Sequence, residues 1–211
     1  MGKLCCIIGA GDITNTTINI PDCAFIISAD GGYQYLADLG IIPDLAMGDF
    51  DSLGYVPDNT EIIVFPCEKD YPDMMLAVLE AVKRGYDDIL IYGAMGGRLD
   101  HTIGNLQMLC AFSQKGIRVK LVDDVVVVTA ITDSYMELAA RNKGTVSVFA
   151  FACDYAEGVS IEGLKYQLTD SILRANEPLG VSNEFIGKSA RISVRNGTLI
   201  IIYPSKEGDL I

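Results

Sequence analysis

The sequence predicts an α/β protein: a mainly parallel sheet with helices on both faces, followed by a smaller antiparallel β-sandwich domain. Three observations carry this expectation. Strand-like runs alternate with helical stretches from residue 3 to about residue 130. Most of those runs are apolar throughout, as strands covered on both faces must be. After about residue 133 the helical pattern stops, and short strands split by Gly and Asn turns take over. The expected domains are 1–132, α/β, and 133–211, β-sandwich.

In chain order, "LCCIIGA", "AFIISAD", "EIIVFP", "DILIYGA" and "RVKLVDD" read as strands, with a short run "DLAM" between the second and third. "GYQYLADLG" reads as a helix closed by Gly40. "DYPDMMLAVLEAVKRG" opens on Asp70 as N-cap with Asp73 in the first turn, and Lys83, Arg84 and Gly85 suit its C-terminal end. "HTIGNLQMLCAFSQKG" has the same form and stops at Gly116. Strand–helix alternation implies parallel pairing with helices on the faces. Beyond residue 133, "GTVSVFAFA", "GVSIEGLKYQL" and "ARISVRNGTLIIIYP" alternate in the manner of strands, with "RNGT" as a turn. At under about 80 residues this half buries a modest core alone, so packing against another chain is expected.

With 211 residues, half of them hydrophobic, and only 7 prolines, there is ample apolar material for a core. The apolar runs are too short to cross a bilayer. The start, "MGKLCCIIGAGD", reaches Asp12 too early for a signal-peptide core and has Cys6 where a myristoylation motif needs Ser or Thr. A soluble, cytoplasmic protein is expected. The six cysteines include no Cys-x-x-Cys pair and read as reduced thiols packed as small apolar residues. A net charge of −12, from 28 acidic against 16 basic residues, disfavours nucleic acid and anionic membranes as partners.

Ligands of a doubly wound sheet bind at the carboxyl ends of its strands, and polar signals collect there. Asp30-Gly31-Gly32 follows one strand, Asp49 and Asp51 follow "DLAM", and Lys69, Asp70 and Asp73 follow "EIIVFP". "GAMGGRLDH" follows "DILIY" with Gly96, Gly97, Arg98, Asp100 and His101. Each has a structural reading alone: a turn, a helix cap, an Arg98–Asp100 pair, or a lone histidine sharing a helix face with Asn105. Together they concentrate on one edge.

The charge argument sharpens this. Residues i and i+2 of an extended segment stand about 6.6 Å apart with side chains on one side. Like charges ~4 Å apart cost about 4 kcal/mol at an effective dielectric near 20. Polyphosphate would add to that repulsion, whereas Mg²⁺ reverses it by bridging carboxylate and phosphate. The acids Asp49, Asp51, Asp73 and Asp100 therefore read as a metal cradle. Gly31, Gly32, Gly96 and Gly97 admit phosphate oxygens to main-chain N–H groups, with Arg98 and Lys69 as neutralising cations. "GAGDIT" and "FIGKSA" each lack a residue of the phosphate motif they approach and read as turns.

"SADGGYQYLADLGIIPDLAMGDFDSL", "EKDYPDMMLAV", "GAMGGRLDHTIGN" and "GVSNEF" resemble, in order and spacing, the thiamine pyrophosphokinase family, from about residue 28 to residue 202. The resemblance implies an α/β domain joined to a β-sandwich domain, a homodimer, and Mg²⁺-dependent transfer of pyrophosphate from ATP to the hydroxyethyl group of thiamine, leaving AMP. It places Asp30, Asp49, Asp51, Asp73 and Asp100 at the family's acidic positions, and Arg98 at its phosphate-contacting position. The ATP and phosphate set is Asp30, Gly31, Gly32, Lys69, Gly96, Gly97, Arg98, His101 and Asn105. The "SNE" motif falls on Ser182, Asn183 and Glu184 beside a vitamin pocket at the dimer interface, with Phe185 or a tyrosine for ring stacking. Pro72 stands where the family usually has Thr. Two rivals accompany this reading: a haloacid-dehalogenase-like phosphatase using "GDFDS", and a thiamine- or nucleotide-binding regulator without chemistry.

Overall fold

A computed structural model describes residues 2–13, 16–22, 24–51, 53–66 and 70–205. By its internal contacts the chain divides into two compact units, Met1–Asn105 with Leu121–Asp124, and Leu106–Lys120 with Val125–Ile211.

The first unit is built on β1 (Leu4–Ile8), β2 (Phe25–Ala29), α1 (Gly32–Asp38), β3 (Leu45–Gly48), β4 (Glu61–Val64), α2 (Asp73–Lys83) and β5 (Asp88–Tyr92). Its strands pair in parallel in the order β5-β1-β2-β3-β4. The short "DLAM" run is thus a full member of the sheet. The chain winds outward from β1 to β4, then returns to the other side of β1. With right-handed connections, that reversal sets α1 and α2 on opposite faces and makes the β1/β5 junction the switch point. Cys5, Cys6, Ile7 and Ile8 of β1 and Ile89 to Tyr92 of β5 are fully buried. Cys5 and Cys6 therefore serve as small core residues, and desolvation pushes the Cys5 thiol up, out of the range in which a thiolate forms. Cys23 and Cys67 lie outside the described residues.

Helix starts differ from expectation in two places. The N-cap of α2 is Pro72, in an extended conformation (φ −58°, ψ 152°) and without a side-chain cap, rather than Asp70. A proline disfavours helical geometry in the residue before it, so Tyr71 cannot extend the helix backward. The Pro72 carbonyl instead accepts the Leu76 amide at 3.1 Å. The next helix, α3 (Leu99–Ser113), begins two residues ahead of His101 and so takes Asp100 into its first turn.

Arg84, just past α2, closes the amino-end edge of the sheet. Its Nη2 and Nε meet Glu61 at 2.6 Å and Glu80 at 2.8 Å, and its guanidinium lies 5.4 Å from the Phe25 ring, itself stacked on Tyr86. Hydrogen bonding from Arg84 holds Glu61 below its ordinary pKa of 4.5. Burial alone would raise Glu80, but hydrogen bonds from Arg84 and Lys83 outweigh it and lower that carboxyl too. Groups with depressed folded-state values stabilise above their unfolded pKa, and that contribution is lost as pH falls through the folded one. The urea midpoint is expected to drop between about pH 5 and pH 3, and the Arg84→Met variant to show a shallower drop. An unchanged slope in that variant would leave the cluster without a role in acid sensitivity.

The second unit carries most of α3, part of β6 (Arg118–Val122), and β7 (Val126–Thr132), β8 (Tyr135–Leu138), β9 (Thr145–Ala150), β10 (Tyr155–Glu162), β11 (Leu168–Arg174), β12 (Asn183–Glu184), β13 (Ala190–Ser193) and β14 (Thr198–Pro204). Antiparallel pairing gives the strand orders β12-β9-β14-β7 and β11-β10-β13-β8 within this unit. Of "GVSIEGLKYQL", the part before Gly163 lies in β10 and only Leu168 reaches β11. The "RNGT" turn does not close a hairpin: β13 pairs with β8 and β10, whereas β14 pairs with β7 and β9. Asn196 bridges Glu157, and the Gly197 amide donates to Asp133 at 2.8 Å, so the turn is tied to both sheets and passes the chain between them. Among the described residues no helix is long and apolar enough to cross a membrane.

Candidate active site

Parallel register aligns the carboxyl ends of β2, β3 and β4. Ala29 lies opposite Met47, and Gly48 opposite Val64. The residues that follow are therefore neighbours. The Asp30 amide donates to the Met47 carbonyl at 2.7 Å, and the Phe65 amide donates to Gly48 at 3.0 Å. A Cβ on Gly48 would stand 3.0 Å from the Asp30 Cα, so glycine is what lets the two acidic loops approach. Beyond Gly48, the Asp51 amide donates to the Asp49 carboxylate at 3.1 Å. Asp49 is half-buried and Asp51 exposed, with buried Phe50 between them. Both Asp30 (φ +51°) and Phe50 (φ +58°) hold the left-handed conformation, which L residues seldom adopt.

Two further strand ends meet at the switch point. The Gly9 amide donates to Tyr92 at 2.8 Å and the Gly11 amide to Gly93 at 3.0 Å. A Cβ on Gly11 would overlap the Gly93 carbonyl oxygen, one on Gly32 the Ile8 carbonyl oxygen, and one on Gly9 the Met74 methyl. "GAGD" is thus more than a turn: with Gly32 it lets the main chains after β1 and β5 and at the start of α1 close-pack, with the Met74 side chain of α2 against Gly9. Its signal lay in glycine spacing after a strand, without the third glycine of a dinucleotide motif.

The loop after β5 presents Gly96 (φ +82°) and Gly97 (φ +66°) with open space where a Cβ would stand. Arg98 Nη2 meets Asp100 at 2.6 Å, and both side chains are largely exposed. Hydrogen bonding from Arg98 holds the Asp100 carboxyl below its usual range, and Asp100 raises Arg98 in return. His101 is exposed on α3, and Asn105, one turn on, donates from Nδ2 to the Ala94 carbonyl at 2.7 Å, latching the helix to this loop. Asp73 is half-buried in the first turn of α2. Lys69 lies outside the described residues.

An all-oxygen donor set of aspartates suits a hard divalent ion such as Mg²⁺, and the adjacent Asp30 and Asp49–Asp51 loops match that chemistry. Among the described residues, however, no three His, Cys, Asp or Glu side chains stand close enough to hold an ion. Asp100 in particular is ion-paired with Arg98. Like charges gather only when a cation joins them.

In the second unit, Ser182 is exposed with φ +60°, and its amide donates to Ser147 Oγ at 3.1 Å. Asn183 is buried. Its Oδ1 accepts the Tyr166 and Glu184 amides, both at 2.9 Å, and its Nδ2 donates to the Tyr166 carbonyl at 2.6 Å. Phe185 is buried too, with the Arg141 guanidinium 5.3 Å from its ring centroid. Within the chain these two residues brace the turn around Tyr166. Glu184 pairs with Lys165 at 3.0 Å.

Residues 19–121 match the family model described as thiamin pyrophosphokinase, catalytic domain, and residues 136–199 match thiamin pyrophosphokinase, vitamin B1 binding domain. The thiamine pyrophosphokinase of Bacillus subtilis (strain 168) is 32% identical over 183 residues, 83% of this chain and 85% of that protein. A crystal structure of a B. subtilis thiamine pyrophosphokinase superposes with TM-score 0.84 at 27% identity, covering 97% of this chain and all of that one. A thiamin pyrophosphokinase family protein from Enterococcus faecalis superposes at 0.83 and 26% identity with the same coverage. None of these matches supports a phosphatase or a regulator without chemistry. With both domain models matched in order along its length, the chain belongs to the thiamine pyrophosphokinase family.

Proposed function

We propose that the chain transfers the terminal pyrophosphate of ATP to the hydroxyethyl oxygen of thiamine, giving thiamine diphosphate and AMP. It is an enzyme of the thiamine diphosphokinase class. The observation that carries the substrate assignment is the presence, in order on one chain, of the catalytic and vitamin B1-binding matches.

In the transfer, the thiamine hydroxyl oxygen forms a bond to the β-phosphorus, the bond from that phosphorus to the α,β-bridging oxygen breaks in line, and AMP leaves with the electron pair. Positioning and charge neutralisation supply most of the acceleration in such reactions. Asp30, Asp49, Asp51 and Asp73 would hold Mg²⁺, with Asp100 available once Arg98 turns to phosphate. When bound, the ion neutralises polyphosphate charge that the carboxylates alone would repel. Gly96 and Gly97 offer main-chain amides to phosphate oxygens, and Arg98 exchanges its Asp100 partner for them. Gly31, Gly32, Lys69, His101 and Asn105 complete the nucleotide side, the last by holding the loop after β5. Ser182 meets the vitamin, while Asn183 and Phe185 shape the turn beside it. Asp51 or Asp100 accepts the hydroxyl proton. The working form is a homodimer.

Incubation of the protein with ATP, thiamine and Mg²⁺ is expected to release AMP in step with thiamine diphosphate. Release of ADP or inorganic phosphate in its place would overturn the assignment.

A further inference from the structure

The two acidic loops stand on one apolar knot. Tyr33, Ala46 and Phe50 form a buried cluster, with Leu53 of the following turn and Ile62 of β4 packed against it. Phe50 is 3% exposed although it lies between two aspartates at a strand end. A residue so placed ordinarily faces water, and its left-handed backbone (φ +58°) carries a steric penalty that glycine would avoid. Burial of the ring offsets that penalty and inverts the loop. Phe50 is buried, while its chain neighbours Asp49 and Asp51 are half-buried and exposed. The Phe50 carbonyl accepts the Leu53 and Gly54 amides, both at 3.1 Å, which locks the turn around the buried ring.

The same knot reaches the Asp30 loop. Tyr33 is 7% exposed, its hydroxyl donates to Asn59 Oδ1 at 2.9 Å, and its amide donates to the Asp30 carbonyl at 3.3 Å. Phe50 and Tyr33 therefore share one packed cluster that ties the Asp30 loop to the Asp49–Asp51 loop. We propose that Phe50 is a positioning residue for the pyrophosphate transfer, setting the spacing of Asp30, Asp49 and Asp51 by anchoring their loops on Tyr33. The proposal rests on the reading of these aspartates as metal-holding groups. It extends that reading to a side chain that touches neither ion nor substrate.

Glycine and leucine at position 50 separate the possible roles. Phe50→Gly adopts a positive φ without penalty but removes the anchor, whereas Phe50→Leu keeps an apolar group in the cluster. Mn²⁺ binding to the substrate-free protein, followed by electron paramagnetic resonance below each variant's unfolding temperature, is the primary readout. Mutation of groups that orient metal ligands weakens metal binding by about 10–100-fold, and that is the loss expected for Phe50→Gly, with Phe50→Leu closer to the parent. If Phe50→Gly does not fold, Ile62→Ala trims the same cluster from β4 and is expected to weaken Mn²⁺ binding in its place. Parent-like affinity in the folded variant, with only a lower unfolding temperature, overturns the proposal. Asp49→Asn runs in parallel: weakened binding there beside unchanged binding in Phe50→Gly refutes the role of Phe50 alone. A parent protein that binds no Mn²⁺ refutes the metal reading and this proposal together.

Discussion

Asp49→Asn and Asp51→Asn are each expected to slow AMP formation by about 10²–10³-fold, the usual cost of removing one electrostatic group aimed at developing charge. Stability should hardly move. The Asp51 amide is bound by Asp49 Oδ1 at 3.1 Å, and an asparagine oxygen still accepts that hydrogen bond, without the charge assistance. Asp51 is exposed, so neither its packing nor its desolvation contributes much. Loss of one negative charge also relieves repulsion between the two carboxylates, which offsets any small loss of hydrogen-bond strength. Activity and folding are thus predicted to separate. Raising Mg²⁺ should recover part of the lost rate, because a weakened site fills at higher ion concentration. The measurements are kcat for AMP release across a Mg²⁺ series and the urea midpoint of each variant. A fall in midpoint as large in relative terms as the fall in rate would make these residues loop-holders and not chemical groups.

The gathering of the acids at one sheet edge was legible in the sequence because parallel strands advertise themselves. "LCCII", "FIISA" and "DILIY" are apolar at nearly every position, and each is followed at once by Gly or Asp. The acids could be assigned to strand ends on that basis alone. What the sequence withheld depends on three-dimensional partners. Nothing in "GDFDS" announces that Phe50 turns inward, since a left-handed φ becomes tolerable only when Tyr33 and Ile62 are there to receive the ring. The cap at Pro72 is the exception: "DYPD" already shows Tyr71 before a proline, so the shift from Asp70 was readable locally. Asn196-Gly197 carries a strong local turn signal, and the chain bends there, with Asn196 bridged to Glu157. The destination of the next strand was set by pairing with β7 and β9, which no local signal specifies. Asn183 is a further case. The family resemblance placed it beside a vitamin pocket, and the structure adds what no local signal specifies: the buried amide makes three hydrogen bonds to main chain in its own unit.

Glycines that look alike on paper differ most in expected consequence. Gly32 and Gly96 both follow a strand end, and both suit close approach to phosphate. A Cβ at Gly32 would overlap the Ile8 carbonyl oxygen and lie 3.1 Å from that of Gly9, and neither backbone atom can rotate away. Gly32→Ala is therefore an overpacking change of about 3 kcal/mol, at the upper end of the usual range. For a chain of this size that corresponds to a fall in Tm of about 6–12 °C. Gly96 has open space around its missing side chain, and alanine there pays only the left-handed penalty of about 1 kcal/mol. Its Tm should fall by about 2–4 °C. The order reverses for catalysis measured at a temperature where both variants are folded. A methyl group at Gly96 projects into the space where phosphate would lie, so kcat/KM for ATP should fall by more than in Gly32→Ala, whose added atom is buried behind the loop. Thermal melts and AMP-release kinetics on the two variants test this crossing. If Gly32→Ala proves the weaker enzyme and the more stable fold, the sheet edge is not organised as described, because overlap with the β1 carbonyl leaves no route to that outcome.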